Sequence, residues 1–275
     1  MNNLPTIVLS SALLFLCGCG GAPKQNGTAV PNGTLQGPIP TATIQAPNVT
    51  GNWQFLTVSG RQAEALTIAG SMNASGTDVT GAVHVNSLSG SCFDYKTTTR
   101  LAGVTTASGI TLAPTPVSGQ PAITLTGSFT VTTFVGTYVV QGACSDQGSV
   151  TGIRLGSISG QMDGTFTSSG KEPFSMVLQL GQGSANPDGS FGLIGTAAFN
   201  SPCFTSGTIT SGTASFMLGT SVSMEIDTPE GTIRFLGTAD QISGQIGQIK
   251  GDYTVTGSCN QTGTLVLTFR NPWDY

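Results

Sequence analysis

The chain has 275 residues, of which only 8% are charged, and it carries 39 glycines, six cysteines, one histidine and a net charge of −4. Charge this sparse and slightly acidic argues against a nucleic-acid partner, whose phosphates need clustered lysine and arginine. A single histidine excludes a histidine-rich metal centre, and no zinc spacing, phosphate loop or dinucleotide fingerprint occurs.

Residues 7–16 form an apolar run of about ten residues, enough for the hydrophobic part of a signal peptide and too short to cross a bilayer. The run closes on Leu16-Cys17-Gly18-Cys19. This ending resembles the lipobox of bacterial lipoproteins, which places an aliphatic residue three positions before the modified cysteine and a small one directly before it. Leu16 and Gly18 meet both demands for Cys19, whereas modification of Cys17 would put Leu16 beside the cut. The resemblance implies a signal peptide over 1–18, acyl chains on Cys19 and attachment to a membrane of the cell envelope. Each buried acyl methylene contributes about 0.8 kcal/mol, so several chains hold firmly. Gly20 rather than an aspartate after the cysteine implies the outer membrane. Met1 to Thr6 departs from the family pattern, since it has no lysine or arginine.

Gly, Pro, Asn and Thr dominate from Gly20 to about Asn48, and Lys24 is the one charge there. Such a segment buries too little surface to offset chain entropy, so residues 19–50 read as a tether. A coil of that length has an end-to-end distance of roughly 30 Å.

Beyond it, one unit occurs twice, over 51–156 and 157–275. Tyr138, Val140, Gly142 and Cys144 recur as Tyr253, Val255, Gly257 and Cys259. Gly136 matches Gly251, Gly148 matches Gly263, and Cys92-Phe93 matches Cys203-Phe204. Gln54-Phe55 and Thr165-Phe166 open the two units. So many coincidences among special residues point to duplication.

Each unit alternates with the period of strands. Phe174, Met176, Leu178 and Leu180 share one parity, as do Val222, Met224 and Ile226, and Ile123, Leu125, Phe129 and Val131. The best helix candidate, Arg61 to Ala69, is short and runs into Gly70. Turns are expected at Asp146-Gln147-Gly148, Asn186-Pro187-Asp188-Gly189 and Asp227-Thr228-Pro229-Glu230-Gly231. The spacing gives about eight strands per unit. The fold class is therefore all-β: two tandem antiparallel meanders, each a small up-and-down barrel or sandwich. Gly51-Asn52-Trp53 resembles the Gly-x-Trp that opens lipocalin-type barrels, which implies the same small-barrel architecture. The second unit has no tryptophan there.

With Cys17 removed and Cys19 acylated, Cys92, Cys144, Cys203 and Cys259 remain, an even set that reads as two disulfides in an exported protein. In an eight-strand meander the turn before strand four and the turn after strand seven lie at one end, favouring Cys92–Cys144 and Cys203–Cys259. A bridge between units, such as Cys92 to Cys203, is the rival.

No catalytic residue, metal ligand or cofactor is assigned. His84 lies between Val83 and Val85 at an outward strand position, and no nucleophile elbow accompanies it. Glu225, Asp227, Glu230 and Asp188 could serve calcium or glycoside chemistry, but turn chemistry explains them. A C-terminal aromatic, Tyr275, is shared with outer-membrane barrels, yet Pro272 and strands of about six to nine residues disfavour spanning.

Three functions stand open. The barrels bind a small apolar molecule or an envelope component; they are filled spacers; or one mouth holds a hydrolase site. A cavity lined by Phe129, Phe174, Met176, Met224 and Tyr253 would favour the first.

Overall fold

The computed structural model describes residues 48–60, 65–87, 93, 97–106, 108–142, 144–242 and 244–270. The expected signal segment, Cys19, nearly all of the tether and Cys92 lie outside the described residues.

The first barrel comprises β1 (Gly51–Ser59), β2 (Leu66–Ser75), β3 (Asp78–Ser87), β4 (Thr98–Thr106), β5 (Gly109–Pro114), β6 (Ala122–Phe129), β7 (Thr133–Gln141) and β8 (Asp146–Leu155). Each strand pairs antiparallel with the next, and β8 returns to β1, so the ring is closed.

The second begins with β9 (Gly160–Thr167), β10 (Phe174–Ala185), β11 (Phe191–Asn200), β12 (Ser206–Ile209) and β13 (Phe216–Leu218). It continues through β14 (Ser221–Thr228), β15 (Gly231–Ile242), β16 (Gln245–Gly257) and β17 (Gln261–Phe269). Because β9 pairs with both β10 and β17, and β10 also pairs with β11, this ring closes too. Its circuit runs through eight strands. The ninth, β13, pairs with parts of β11 and β14 beside the four-residue β12. The fold is thus two tandem eight-strand barrels, as the alternation and the repeat called for.

Three local expectations shift. Leu66 to Ala69, at the end of the helix candidate, belong to β2. Asp146-Gln147-Gly148 opens β8 instead of forming a turn, because the Asp146 carboxylate is buried against β1 and β7. Val131 leaves the parity of Ile123 and Leu125, for it sits between β6 and β7 and is 75% exposed.

Eight strands enclose an interior only as wide as their own side chains, so large and small residues must face each other. Tyr138 pairs with Gly148 and Tyr253 with Gly263. A Cβ on either glycine would come within 3.0 Å of the tyrosine ring. Phe55 lies over its partner Gly152, where a Cβ would fall 2.6 Å from the ring, and Phe134 reaches over Gly127 at 2.7 Å. Gly127 faces Gly136, and Gly237 faces Gly251. At these pairs the two backbones approach so closely that a Cβ on either Gly136 or Gly251 would strike the opposite strand. The repeated Tyr and Gly positions are therefore halves of one packing device.

The two barrels form one compact unit. Asn52 clasps the turn after β13: its Nδ2 donates to Gly219 O and its Oδ1 accepts from Gly219 N, both at 3.0 Å. Gln54 Oε1 accepts from Thr220 N and Oγ1 at 2.8 and 2.9 Å. Gln241 accepts from Gly156 N and donates to Arg154 O, each at 2.8 Å. The buried Trp53 beside Asn52 donates to Val49 O at 2.7 Å. The Gly-Asn-Trp segment thus ties the first strand both to its own core and to the second barrel.

Cys203, between β11 and β12, bridges to Cys259, between β16 and β17, with Cα atoms 6.3 Å apart. This is the pairing within one unit. Cys144 is also disulfide-bonded. The partner expected for it, Cys92, lies outside the described residues. The Cys203–Cys259 loop spans 56 residues, which gives about 4 kcal/mol of stabilisation in the chain-entropy model. Replacing both cysteines by serine should lower the stability of the second barrel by about that amount in denaturant unfolding. A loss well under ~1 kcal/mol would show that the bridge constrains nothing.

Candidate functional site

The two disulfide-bearing ends are built differently, although they descend from one unit. Equivalent positions can be counted from the Tyr–Gly pairs. Four residues beyond Gly148 and Gly263 stand Gly152 and Leu267, which pair with Phe55 and Gly164. Two residues beyond Gly148 and Gly263 stand Val150 and Leu265, which pair with Thr57 and Phe166. Phe166 therefore occupies the place of Thr57, two residues from the match to Phe55 that sequence alone suggests. The reason is steric: Phe55 needs a glycine opposite it, and in the second barrel that place holds Leu267.

In the first barrel the small Thr57 leaves room for a polar cluster. Tyr138 Oη donates to Asp146 Oδ2 at 2.5 Å, and Ser59 Oγ donates to Asp146 Oδ1 at 2.9 Å. Leu66 N donates to Thr57 Oγ1 at 2.8 Å. One buried carboxylate thus joins β1, β7 and β8. Burial pushes the Tyr138 phenol above its ordinary 10.0, and the hydrogen bond to Asp146 and that residue's charge push it further. The hydroxyls of Thr57 and Ser59 pull the other way without cancelling this.

In the second barrel Gln261 stands where Asp146 does, and Ser168 where Ser59 does. Phe166 stacks on Phe174 with centroids 4.3 Å apart and meets Tyr253 edge-on at 4.9 Å. Phe199 and Phe204 complete the ring cluster, 5.6 Å from each other. Tyr253 is buried and its Oη has no hydrogen-bond partner among the described residues. Burial raises its pKa, while Ser168 lies near enough to offset a little of that rise without reaching bonding geometry. The Ser168 hydroxyl donates instead to Thr262 O at 2.7 Å. Phe174 and Phe199 are only partly buried, so the aromatic cluster reaches the surface at this mouth.

Of the five residues singled out as a lining, Met176, Met224, Tyr253 and Phe174 share the second core, whereas Phe129 belongs to the first. His84 does lie on the outer side of β3, where its Nε2 meets Asp188 O at 3.0 Å and Thr98 Oγ1 at 3.2 Å. It is a contact between the barrels. Asp188 Oδ1 accepts from Ser190 N and Oγ at 3.0 and 2.7 Å. Partial burial works to raise its pKa, but these bonds and the charge of His84 outweigh it and leave the carboxyl below its usual value. Glu225 pairs with Arg234 at 2.8 Å on the outside of the sheet, and Asp227 accepts from Thr232 Oγ1. No group of three potential metal ligands occurs among the described residues.

No family model matches the chain. No curated protein matches it either. Among solved structures, a protein of unknown function from the DUF3598 family of Nostoc punctiforme PCC 73102 matches over 82% of this chain and 97% of that one, at 8% identity and a TM-score of 0.25.

Both raised phenols bind their protons more tightly in the native state than in the unfolded chain. The stability they contribute is complete below pH 10 and drains as the pH rises through the folded values. Asp146→Ala should lower the pKa of Tyr138 and leave that of Tyr253 in place, read by tyrosine ultraviolet difference titration. It should also cost about 1–3 kcal/mol by stranding a buried hydroxyl. An unchanged Tyr138 titration would mean that Asp146 does not govern it.

Proposed function

We propose that this is a non-enzymatic binding protein of the cell envelope, tethered to the outer membrane by acyl chains on Cys19. Its ligand is a small, largely apolar molecule with one hydrogen-bonding group, and the aromatic mouth of the second barrel receives it. The observation that carries this reading is the contrast between Tyr138 and Tyr253. A buried hydroxyl without a partner costs about 1–3 kcal/mol, and native proteins seldom leave one unmet. The first barrel meets this demand with Asp146. The second replaces that carboxylate, sets Phe166 edge-on against the tyrosine ring and leaves the edge of the cluster exposed through Phe174 and Phe199. A ligand that slides its apolar body among those rings and hydrogen-bonds to Tyr253 would satisfy the group that the fold leaves open.

Naphthalene and 2-naphthol supply the test, since they differ by one hydroxyl. The expected result is saturable binding of both, with 2-naphthol tighter by roughly fivefold, the worth of one net hydrogen bond. That preference should vanish in Tyr253→Phe and persist in Tyr138→Phe, while Phe174→Ala should weaken both ligands. Absence of saturable binding, or a preference untouched by Tyr253→Phe, would overturn the assignment.

A further inference from the structure

Of the ten large apolar side chains exposed among the described residues, six gather on one wall of the first barrel. They are Leu56 and Val58 on β1, Ile153 on β8, Val135 and Val139 on β7, and Val131 in the turn before β7. Register makes them neighbours. Val135, Thr151 and Leu56 lie in one row across β7, β8 and β1, and Thr133, Ile153 and Gln54 in the next. The outward positions of β5 through β8 and of the second half of β1 hold no charged residue at all. They are Thr, Ser, Val, Ala, Gln, Leu and Ile, with Gly109 at the start of β5. Barrel two meets this wall at one end, where Gln54 and Arg154 O bond to it and Gly244 approaches Thr132, and the six side chains stay exposed with it in place.

The second barrel is the opposite case. Its outer wall carries Asp163, Glu225, Asp227, Arg234, Asp240, Lys250 and Asp252 on β9 and β14–β16. Charge is thus divided between the two barrels, and the uncharged wall belongs to the one that the N-terminal chain enters through β1.

We propose that the uncharged β7–β8–β1 wall rests on the surface of a lipid bilayer. This goes beyond the ligand reading and rests on the same expectation of an anchor at Cys19. Two arguments select lipid over a second copy of the chain. With strands ~4.8 Å apart and a rise of ~3.4 Å per residue, the six side chains span roughly 400 Å², about half of what each partner brings to a standard dimer. And the 31 residues between Cys19 and Gly51 lead directly into β1, one strand of this wall. A chain held at the surface through Cys19 keeps the wall at high effective concentration beside the bilayer, so a contact too weak for a free protein suffices. Lacking lysine and arginine, the contact should be insensitive to salt.

The test is photolabelling of the full mature chain on vesicles of phosphatidylethanolamine and phosphatidylglycerol, with a carbene precursor carried in the acyl chains. Peptide mass spectrometry should find labels in peptides spanning 54–58 and 133–153 several-fold above those spanning 98–106 on the opposite wall. The paired variant Leu56→Glu, Val135→Glu, at exposed positions that do not support the core, should erase the difference at either salt concentration. Equal or absent labelling on the two walls overturns the proposal, as does a concentration-dependent protection of 133–153 without vesicles, which would make the wall a dimer face. The same digest reports acylation of residue 19. An acylated chain with an unlabelled wall removes the docking and keeps the anchor, whereas an unmodified chain with a labelled wall does the reverse.

Discussion

The narrowness of an eight-strand interior governs this protein more than any single contact. A closed ring of that size has room for one layer of side chains, and a large ring must therefore find a glycine across the strand. Tyr138 has Gly148, Tyr253 has Gly263 and Phe55 has Gly152. The chain's wealth of glycine is the counterpart of its aromatic core. The same need accounts for Gly136 facing Gly127 and Gly251 facing Gly237, where the strand backbones approach closely.

From that constraint follows the divergence between the two copies. Once Leu267 replaces the glycine found at position 152, an aromatic residue can no longer sit where Phe55 does, and it appears two residues later as Phe166. Phe166 then fills the space that Thr57 leaves to a carboxylate cluster in the first barrel. One mouth becomes a hydrogen-bonded knot of Ser59, Asp146 and Tyr138, and the other an aromatic cluster beside a hydroxyl with no partner among the described residues. A packing substitution thus separates a structural end from a candidate binding end. The reading of the second mouth as a ligand seat grows out of this difference.

Much of the architecture was legible in the residues. Alternation such as Val222, Met224 and Ile226 needs only a period of two, and the matched Tyr, Gly and Cys positions revealed the doubling before any register was known. The Cys203–Cys259 bridge followed from meander topology. What sequence hid was pairing across strands. Asp146-Gln147-Gly148 has turn composition, and only the approach of Tyr138 and Ser59 explains why it is strand instead. Phe55 and Phe166 look equivalent until their partners are named. The value of Tyr253 is likewise invisible in its own segment, because it depends on Gln261 and Phe166 standing where Asp146 and Thr57 would satisfy it. The clasp of Asn52 on Gly219, 167 residues away, had no local signal beyond an unexplained asparagine before Trp53.

A double-mutant cycle at Phe55 and Gly152 tests the packing rule most directly, with unfolding free energies read in denaturant. Gly152→Ala alone should destabilise the protein by about 1–3 kcal/mol, since its methyl would press into the ring. On a Phe55→Leu background the same change should cost far less, giving a coupling energy of about 1 kcal/mol or more. Additivity within ~0.5 kcal/mol would show that ring and glycine do not depend on each other, and the account of both barrels would fail with it.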